Sequence, residues 1–253
     1  MFQQKLIAIM GLIYASASLA CASTQCPQFF LKAEVPRVGY VLCNDAYAVG
    51  YSTTLKVPLW AAEHLTDESV TRAQSLHGRG KFFVDNRLSV DNASSKMDYR
   101  ASGYVRGHMV PSGDMQDWQT RNQTYLYSNI VPQDASMNSG PWNQVEQDTR
   151  QAALNDGELY VITGPILPSL SETIGPDKIT VPTGLFKVVY DAMDDTSAAI
   201  MCNNDTPAQC HQISLESLQN LIGFDPVPGL SEYEKIIPLV VEGWPKVVRR
   251  SHY

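Results

Sequence analysis

The sequence has no repeat period, no low-complexity run and no excess of basic residues. The first two absences exclude solenoids and collagen-like arrays. With 19 Lys and Arg against 26 Asp and Glu, the formal net charge is −7. A globally basic nucleic-acid binder is therefore excluded, although a local basic patch is not. The chain has 253 residues, 44% of them hydrophobic, which is enough for the core of one large domain or at most two small ones.

Residues 1–22 have the layout of a secretory signal peptide. Lys5 precedes an apolar run to about Tyr14, and small residues follow up to an A-x-A pattern that ends at Ala22. A transmembrane anchor is the alternative, but the apolar run is shorter than the ~20 residues that span a bilayer. We therefore expect an exported protein, periplasmic or secreted, with no membrane partner and a mature chain of residues 23–253.

After this cleavage the mature chain keeps a small, even number of cysteines. Loss of Cys21 leaves four, at positions 26, 43, 202 and 210. An even number in an exported protein indicates two disulfides, with three connectivities to choose from. We favour Cys26–Cys43 and Cys202–Cys210, because each pair closes a short local loop; four unpaired core thiols are the alternative. A zinc site is disfavoured, because no pair has C-x2-C spacing.

The pattern of apolar residues predicts one domain with more strands than helices. No Pro/Gly/Ser linker interrupts residues 23–253. Strands are predicted at 38–43, 46–51, 104–110, 158–163, 178–181, 185–190 and 198–202, with a short strand or loop at 125–131. Helices are predicted at 58–65, 139–155 and 214–222, and residues 66–103 are predicted to be irregular. Because these elements do not alternate as βαβ units, we expect an α+β fold with a largely antiparallel sheet.

Residues able to carry chemistry concentrate between positions 79 and 150. His108 ends a predicted strand in the segment Y-R-A-S-G-Y-V-R-G-H-M-V-P. An imidazole with an ordinary pKa near ~6.5 can take a proton from water at neutral pH, as a general base does. A structural histidine in the core is the alternative. Residues 72–121 contain six arginines and two lysines against five acids, so a locally positive surface able to meet phosphate is expected.

A helix with polar residues on one face follows this segment. Asn138 precedes the predicted helix, where it is either an N-cap residue or an oxygen ligand to a hard cation such as Mg²⁺. Trp142, Glu146 and Arg150 follow at intervals of four residues and lie near one helix face. A core tryptophan beside an i,i+4 Glu–Arg pair would explain this pattern without a site. In a site, Glu146 would organise metal-bound water and Arg150 would meet a phosphate.

Residues of about 45–230 resemble the DNA/RNA non-specific endonuclease family, which includes endonuclease G and bacterial secreted sugar-non-specific nucleases. The family signature D-R-G-H, followed by an apolar residue and then proline, reads V-R-G-H-M-V-P here. Similar segments surround it in the same order along the chain. They read V-P-L-W-A-A-E-H-L, D-Y-R-A-S-G-Y, S-N-I-V-P-Q, N-S-G-P-W-N-Q-V-E, L-Y-V-I-T-G-P-I and V-P-T-G-L-F-K-V-V.

The resemblance implies a ββα-metal (His-Me finger) fold, in which a strand carries the catalytic histidine and the following helix carries the metal ligand. It implies His108 as general base and Asn138 as the direct ligand of Mg²⁺, for which Mn²⁺ can substitute. Glu146 matches the carboxylate that holds metal-bound water. Asn129, in S-N-I-V-P-Q, matches a catalytic-site position that shapes the site.

Arginines complete the implied site. Arg79 matches the arginine that contacts the scissile phosphate in relatives, because it precedes the F-x-x-D segment 82–85, and Arg87 is its rival. Arg106 and Arg150 are expected to hold substrate phosphate oxygens. The implied reaction is Mg²⁺-dependent hydrolysis of DNA and RNA that leaves 5′-phosphate ends. Contacts to backbone phosphate carry little sequence information, so little base specificity is expected.

Val105 is the departure from the family, which has aspartate there. Strand alternation would place position 105 on the face opposite His108 and Arg106. We therefore expect an active enzyme with weaker metal binding or slower turnover; a catalytically weakened nucleic-acid-binding homologue is the alternative. A serine esterase or zinc protease is disfavoured, because neither G-x-S-x-G nor H-E-x-x-H occurs. A homodimer is compatible with the sequence, which identifies no inhibitor partner.

Overall fold

The computed structural model describes residues 25–168 and 172–245. The predicted signal peptide therefore lies outside the described residues. The strands are β1 Tyr40–Cys43, β2 Tyr47–Ser52, β3 Val57–Thr66, β4 Val105–His108, β5 Ile130–Gln133, β6 Glu158–Ile166, β7 Thr173–Ile174, β8 Ile179–Thr180, β9 Gly184–Asp191, β10 Thr196–Asn203 and β11 Cys210–Gln212. The α-helices are α1 Asp67–Gln74, α2 Trp118–Gln123, α3 Ala135–Ser139, α4 Pro141–Asp156 and α5 Leu215–Ile222.

A seven-stranded antiparallel sheet forms the centre of the described structure. Its strand order is β1-β2-β3-β6-β9-β10-β11, and β4-β5 and β7-β8 form separate two-stranded ladders. Helices cover the sheet, which confirms the predicted α+β class and is consistent with a ββα-metal nuclease fold. No helix in the described ranges combines the length and the apolar character that a bilayer crossing requires.

The central strands are buried on both faces, which explains the wrong prediction of a helix at 58–65. That segment lies in β3, where Ala61 packs into one apolar cluster and the adjacent Ala62 into the other. A strand covered on both sides has no alternation of apolar and polar residues, so its sequence resembles a buried helix. Pro58 is tolerated because the register with β2 shifts there. Gly50 is required opposite, since a Cβ would lie 2.1 Å from the Trp60 ring.

The prediction that residues 66–103 are irregular is wrong for α1. This helix starts with a capping box in which Thr66 and Ser69 each accept from the other's backbone N–H. Serine at the third helical position is a weaker sequence signal than the usual Glu or Gln. The two remaining predicted helices, α4 and α5, begin and end within two residues of their predicted bounds, whereas α2 and α3 were not predicted.

Both predicted disulfides are confirmed. Cys26–Cys43 ties the segment before the sheet to β1, and Cys202–Cys210 joins directly opposed residues of β10 and β11. β1 and β11 are the two outermost strands of the sheet. Each edge of the sheet therefore carries one covalent cross-link.

Candidate active site

A cleft of about 650 Å³ opens between β4, the end of α3 and the first turns of α4. Its lining brings together residues that are far apart in the sequence. The predicted site residues among them are Arg79, Arg106, His108, Asn138, Glu146 and Arg150. Two others, Asn129 and Arg87, do not line it.

His108 is the last residue of β4 and pairs with Ile130 of β5. Its ring packs 4.9 Å from the perpendicular ring of Tyr125 and 5.4 Å from that of Phe82, measured between centroids. Burial, assisted by the positive charges of Arg106 and Arg79, lowers the pKa of His108 to about 4. The Nε2 atom is buried and has no hydrogen-bond partner among the described residues. At neutral pH the imidazole is therefore uncharged and can accept a proton.

Asn129 supports the histidine from behind the cleft. The side chain is fully buried, and its Oδ1 accepts from the backbone N–H of Val110 at 3.0 Å. Its Nδ2 donates to the carbonyls of Val110 and Thr124, each at 3.0 Å. These bonds fix the chain two residues after His108, so Asn129 holds the geometry of the site without facing the cleft.

Asn138 and Glu146 are the oxygen donors that a hard cation would find in the cleft. Asp134 caps α3 and Gly140 precedes α4, so Asn138 is not an N-cap. Its side-chain amide makes no hydrogen bond to any described residue and faces the cleft. Burial raises the pKa of Glu146 to about 7, against the opposing charge of Lys187.

This donor set fits Mg²⁺, which keeps most of its waters and needs one or two protein oxygens. Within residues 25–168 and 172–245, no group of three His, Cys, Asp or Glu side chains is arranged to hold a metal ion. The free amide of Asn138 and the carboxyl of Glu146 are thus two of the side-chain oxygen donors available to a cation in this cleft, which also contains Asn143.

Next to Arg150 lies a cluster of buried charged residues, formed by Asp114, Glu63 and Lys187. The Nη1 atom of Arg150 donates to the buried Asp114 carboxylate at 2.6 Å. Glu63 on β3 is 1% exposed, and neither carboxyl oxygen has a hydrogen-bond partner among the described residues. Burial and then the neighbouring Asp114 charge raise the pKa of Glu63, against the nearby Lys187. Lys187 on β9 is buried too and donates to Thr163 Oγ1 at 2.6 Å.

Sequence reasoning missed Asp114, Glu63 and Lys187 as parts of the site. The available signal was a charged residue inside an otherwise apolar strand segment, in V-P-L-W-A-A-E-H-L and V-P-T-G-L-F-K-V-V. Charged side chains are almost never fully buried unless they are paired, so such a residue points to a partner in the fold.

The arginines divide into two groups. Arg106 lies over the Phe82 ring, with its Cζ 4.3 Å from the centroid, and lines the cleft. Arg79 also lines the cleft and forms no ion pair with a described residue. Arg87 is held elsewhere, by Asp85 at 2.6 Å and the Asn44 Oδ1 at 3.0 Å. The geometry therefore places Arg79, and not Arg87, beside His108.

Position 105 also borders the cleft. Val105 is among the lining residues, while the alternation of β4 places its side chain on the face opposite that of Arg106 and His108. An aspartate at this position would therefore lie at the edge of the cleft.

Comparisons with known proteins agree on one family. The model of the DNA/RNA non-specific endonuclease family matches residues 31–232. "Nuclease EXOG, mitochondrial" of Danio rerio is 32% identical over 165 residues, which cover 61% of this chain and 48% of that protein. The Homo sapiens protein of the same name is 29% identical over 216 residues, which cover 77% of this chain and 58% of that protein. This chain thus spans about half to three-fifths of the length of these relatives.

A solved structure is also similar. The crystal structure of an EndoG/EndoGI complex, which concerns EndoG inhibition, contains a chain with a TM-score of 0.73 and 26% sequence identity. The match covers 82% of this chain and 93% of that chain.

The prediction of export is contradicted by these relatives. The similar nucleases of Danio rerio, Homo sapiens, Caenorhabditis elegans and Schizosaccharomyces pombe are all named mitochondrial. The relatives therefore point to mitochondria and not to the periplasm or the medium. Residues 1–22 contain no acid, as is usual for mitochondrial transit peptides, but they contain only two serines and no arginine. Composition at the N-terminus was therefore too weak a signal to fix the compartment.

Proposed function

Because the chain belongs to the DNA/RNA non-specific endonuclease family, we propose that it is a metal-dependent endonuclease acting on both DNA and RNA. It hydrolyses phosphodiester bonds with little sequence specificity and leaves 5′-phosphate ends. The observation that carries the proposal is the meeting of His108, Asn138, Glu146 and three arginines in one cleft.

Asn138 would hold the cation through its amide oxygen, with the Glu146 carboxyl close by in the same cleft. The ion is Mg²⁺, for which Mn²⁺ can substitute. When bound, it supplies positive charge that stabilises the negative charge developing on the phosphate and the leaving oxygen.

His108 acts as the general base. With its pKa lowered to about 4, the ring is neutral at pH 7. The imidazole takes a proton from the water whose oxygen attacks phosphorus in line with the departing 3′ oxygen. The contacts with Phe82 and Tyr125 hold the ring in one orientation during this step.

The three cleft arginines neutralise the substrate. A phosphodiester anion repels an incoming nucleophile, so cations on its non-bridging oxygens lower the barrier. Arg79, Arg106 and Arg150 line the cleft and bind those oxygens. Arg150 is held for this task by its ion pair with Asp114.

Glu146 orients a water beside the leaving 3′ oxygen. As the bond between phosphorus and that oxygen breaks, the water gives it a proton. The products are a 5′-phosphate and a 3′-hydroxyl. Because these catalytic contacts are to the sugar-phosphate backbone, DNA and RNA are both substrates.

The experiment is digestion of plasmid DNA and of RNA by the wild-type protein, first with Mg²⁺ and then with EDTA. We expect both substrates to be cut and EDTA to stop the cutting. His108→Ala should lose activity, while His211→Ala, which removes an exposed histidine on β11, should not. Cleavage by His108→Ala at the wild-type rate would overturn the proposal.

A catalytically weakened nucleic-acid-binding homologue is the second candidate. Val105 favours it, because the cleft lacks a carboxylate at this position. Such a protein would shift the mobility of DNA without nicking it.

A further inference from the structure

The wall of the cleft continues outward along the segment 78–82, which passes across α2. A Cβ on Gly78 would lie 3.1 Å from Cη2 of Trp118, and one on Gly80 would lie 2.6 Å from the Tyr125 ring. Tyr125 and Phe82 already line the cleft. Four residues span at most about 14 Å, so Trp118 lies within a few nucleotides of the proposed catalytic centre.

Trp118 is exposed yet held in place. It is the first residue of α2, where the Asp117 side chain accepts from the Thr120 N–H at 2.8 Å. The buried Arg121 lies over one face of its ring, with Cζ 5.7 Å from the centroid, and is fixed by donating to the Leu76 carbonyl, so the opposite face is the one available to a ligand. Despite these contacts, 44% of the tryptophan remains exposed. A large flat ring is thus presented to solvent in a fixed position.

Unpaired positive charge accompanies the ring. Arg79 and Lys81 lie on the same segment, are exposed and form no ion pair with a described residue. Arg79 faces the cleft. A strand leaving the cleft along this segment would meet cations for its phosphates and an aromatic surface for its bases.

We propose that Trp118 stacks on an unpaired base of the substrate and thereby makes single-stranded nucleic acid the preferred ligand of this cleft. The proposal rests on the proposed nuclease function and adds the strand state of its substrate. Stacking tolerates any base, because every base has a π-face, and is therefore compatible with low sequence specificity. In a duplex the faces of the bases are covered by their stacked neighbours and are not open to the ring.

Tryptophan fluorescence isolates this contact. The chain has four tryptophans, and Trp60, Trp142 and Trp244 are buried, so Trp118 is the one exposed to a ligand. His108→Ala protein, which should bind without cutting, is titrated in Mg²⁺ with an oligothymidylate and, separately, with a blunt duplex of equal length. We expect saturable quenching by the single strand and little by the duplex.

Binding of a fluorescein-labelled oligothymidylate, followed by anisotropy, tests the energetic role. In the His108→Ala background, Trp118→Leu should weaken single-strand binding about five- to tenfold and leave duplex binding unchanged. Trp118→Phe should retain most of the affinity, because the ring can still stack. Tyr233→Ala removes another exposed aromatic, one that does not line the cleft, and is the control.

Equal quenching by both ligands, or wild-type affinity in Trp118→Leu, would overturn this role of Trp118. Such a result combined with normal plasmid cleavage by the wild-type protein would leave the nuclease function standing. A wild-type protein that cuts nothing, yet whose Trp118 is quenched by the single strand, would refute the nuclease function alone. Far-UV circular dichroism of Trp118→Leu shows whether that variant is folded.

Discussion

At the scale of single residues, depth in the fold sets the charge state of the groups around the cleft. Burial lowers the pKa of His108 and raises those of Glu146 and Glu63. The two directions have one cause, since a low-dielectric environment disfavours whichever form is charged. At pH 7 the site therefore contains a neutral base, His108, and behind the cleft a buried carboxyl group, that of Glu63, whose ionisation costs free energy.

Glu63→Gln should reveal that cost as a change in the pH dependence of stability. The native pKa of Glu63 lies above the unfolded value of 4.5, so the folded state binds the extra proton and stability falls as pH rises through this interval. Relative to Glu63→Gln, the wild-type free energy of unfolding should fall by up to about 1.4 kcal/mol for each pH unit. Urea unfolding in EDTA, from about pH 5 to about pH 8, measures the difference.

The control for Glu63 is Glu216→Gln, at an exposed position in the first turn of α5. It should parallel the wild type at every pH. A Glu63→Gln curve that also runs parallel to the wild type would show that Glu63 is ionised in the fold.

Val105→Asp should introduce a carboxylate at the edge of the cleft. We expect the Mg²⁺ concentration for half-maximal plasmid cleavage to fall by about tenfold, the range over which outer carboxylates tune metal affinity. Val105→Asn supplies a side chain of the same shape without charge and should have a smaller effect. If Val105→Asp changes neither the metal dependence nor the rate, position 105 has no part in cation binding.

At the scale of elements, two short strands and one helix place the site. β4 carries His108, Asn129 directly precedes β5, and α4 carries Glu146 and Arg150 while Trp142 and Val145 in its first turns pack into the core. The cleft thus combines residues of these elements with residues outside helices and strands, in the segment around Arg79, in 111–113 and at Tyr125.

Asn129→Ala should weaken the attachment of the segment after β4, at Val110, to the segment before β5. The substitution removes three hydrogen bonds and leaves the buried Val110 N–H without its partner. We expect a loss of about 2 to 4 kcal/mol in the free energy of unfolding and a lower kcat, because the chain that carries His108 shifts. Urea unfolding and plasmid cleavage measure the two effects. Asn86→Ala, at an exposed position, is the control, and equal stabilities of the two variants would contradict the supporting role.

Most elements of the site and of the sheet are predictable from the sequence, except for α3, β3 and β11. The four-residue spacing from Trp142 to Arg150 is a helical signal, and α4 follows it. β3 was mistaken for a helix because burial on both faces removes the alternation that marks a strand. Glu63 and Asp114 could not be brought together from sequence, because their proximity depends on how β3 packs against the chain after β4.

At the scale of the whole molecule, the cross-links are placed away from the cleft. None of the four cysteines lines it. The disulfides therefore contribute to the stability of the sheet and not to the chemistry. They close loops with sequence separations of 17 and 8 residues.

Replacing Cys202 and Cys210 together by serine should lower stability and spare activity. Loop-closure entropy predicts a loss of roughly 2 to 3 kcal/mol, visible as a lower Tm. Plasmid cleavage at 25 °C should stay at the wild-type rate. Lost cleavage in a variant with an unchanged Tm would mean that this cross-link shapes the cleft.

The position of the two cross-links has a consequence for how the sheet opens. β-sheets commonly fray from their outermost strands, whose backbone groups are paired on one side only. Here the Cys26–Cys43 disulfide joins the edge strand β1 to the segment that precedes it, and the Cys202–Cys210 disulfide joins the other edge strand, β11, to β10. The backbone amides of β1 and β11 that pair with the neighbouring strand should therefore be protected from exchange with deuterium, and reduction of the disulfides should accelerate their exchange selectively.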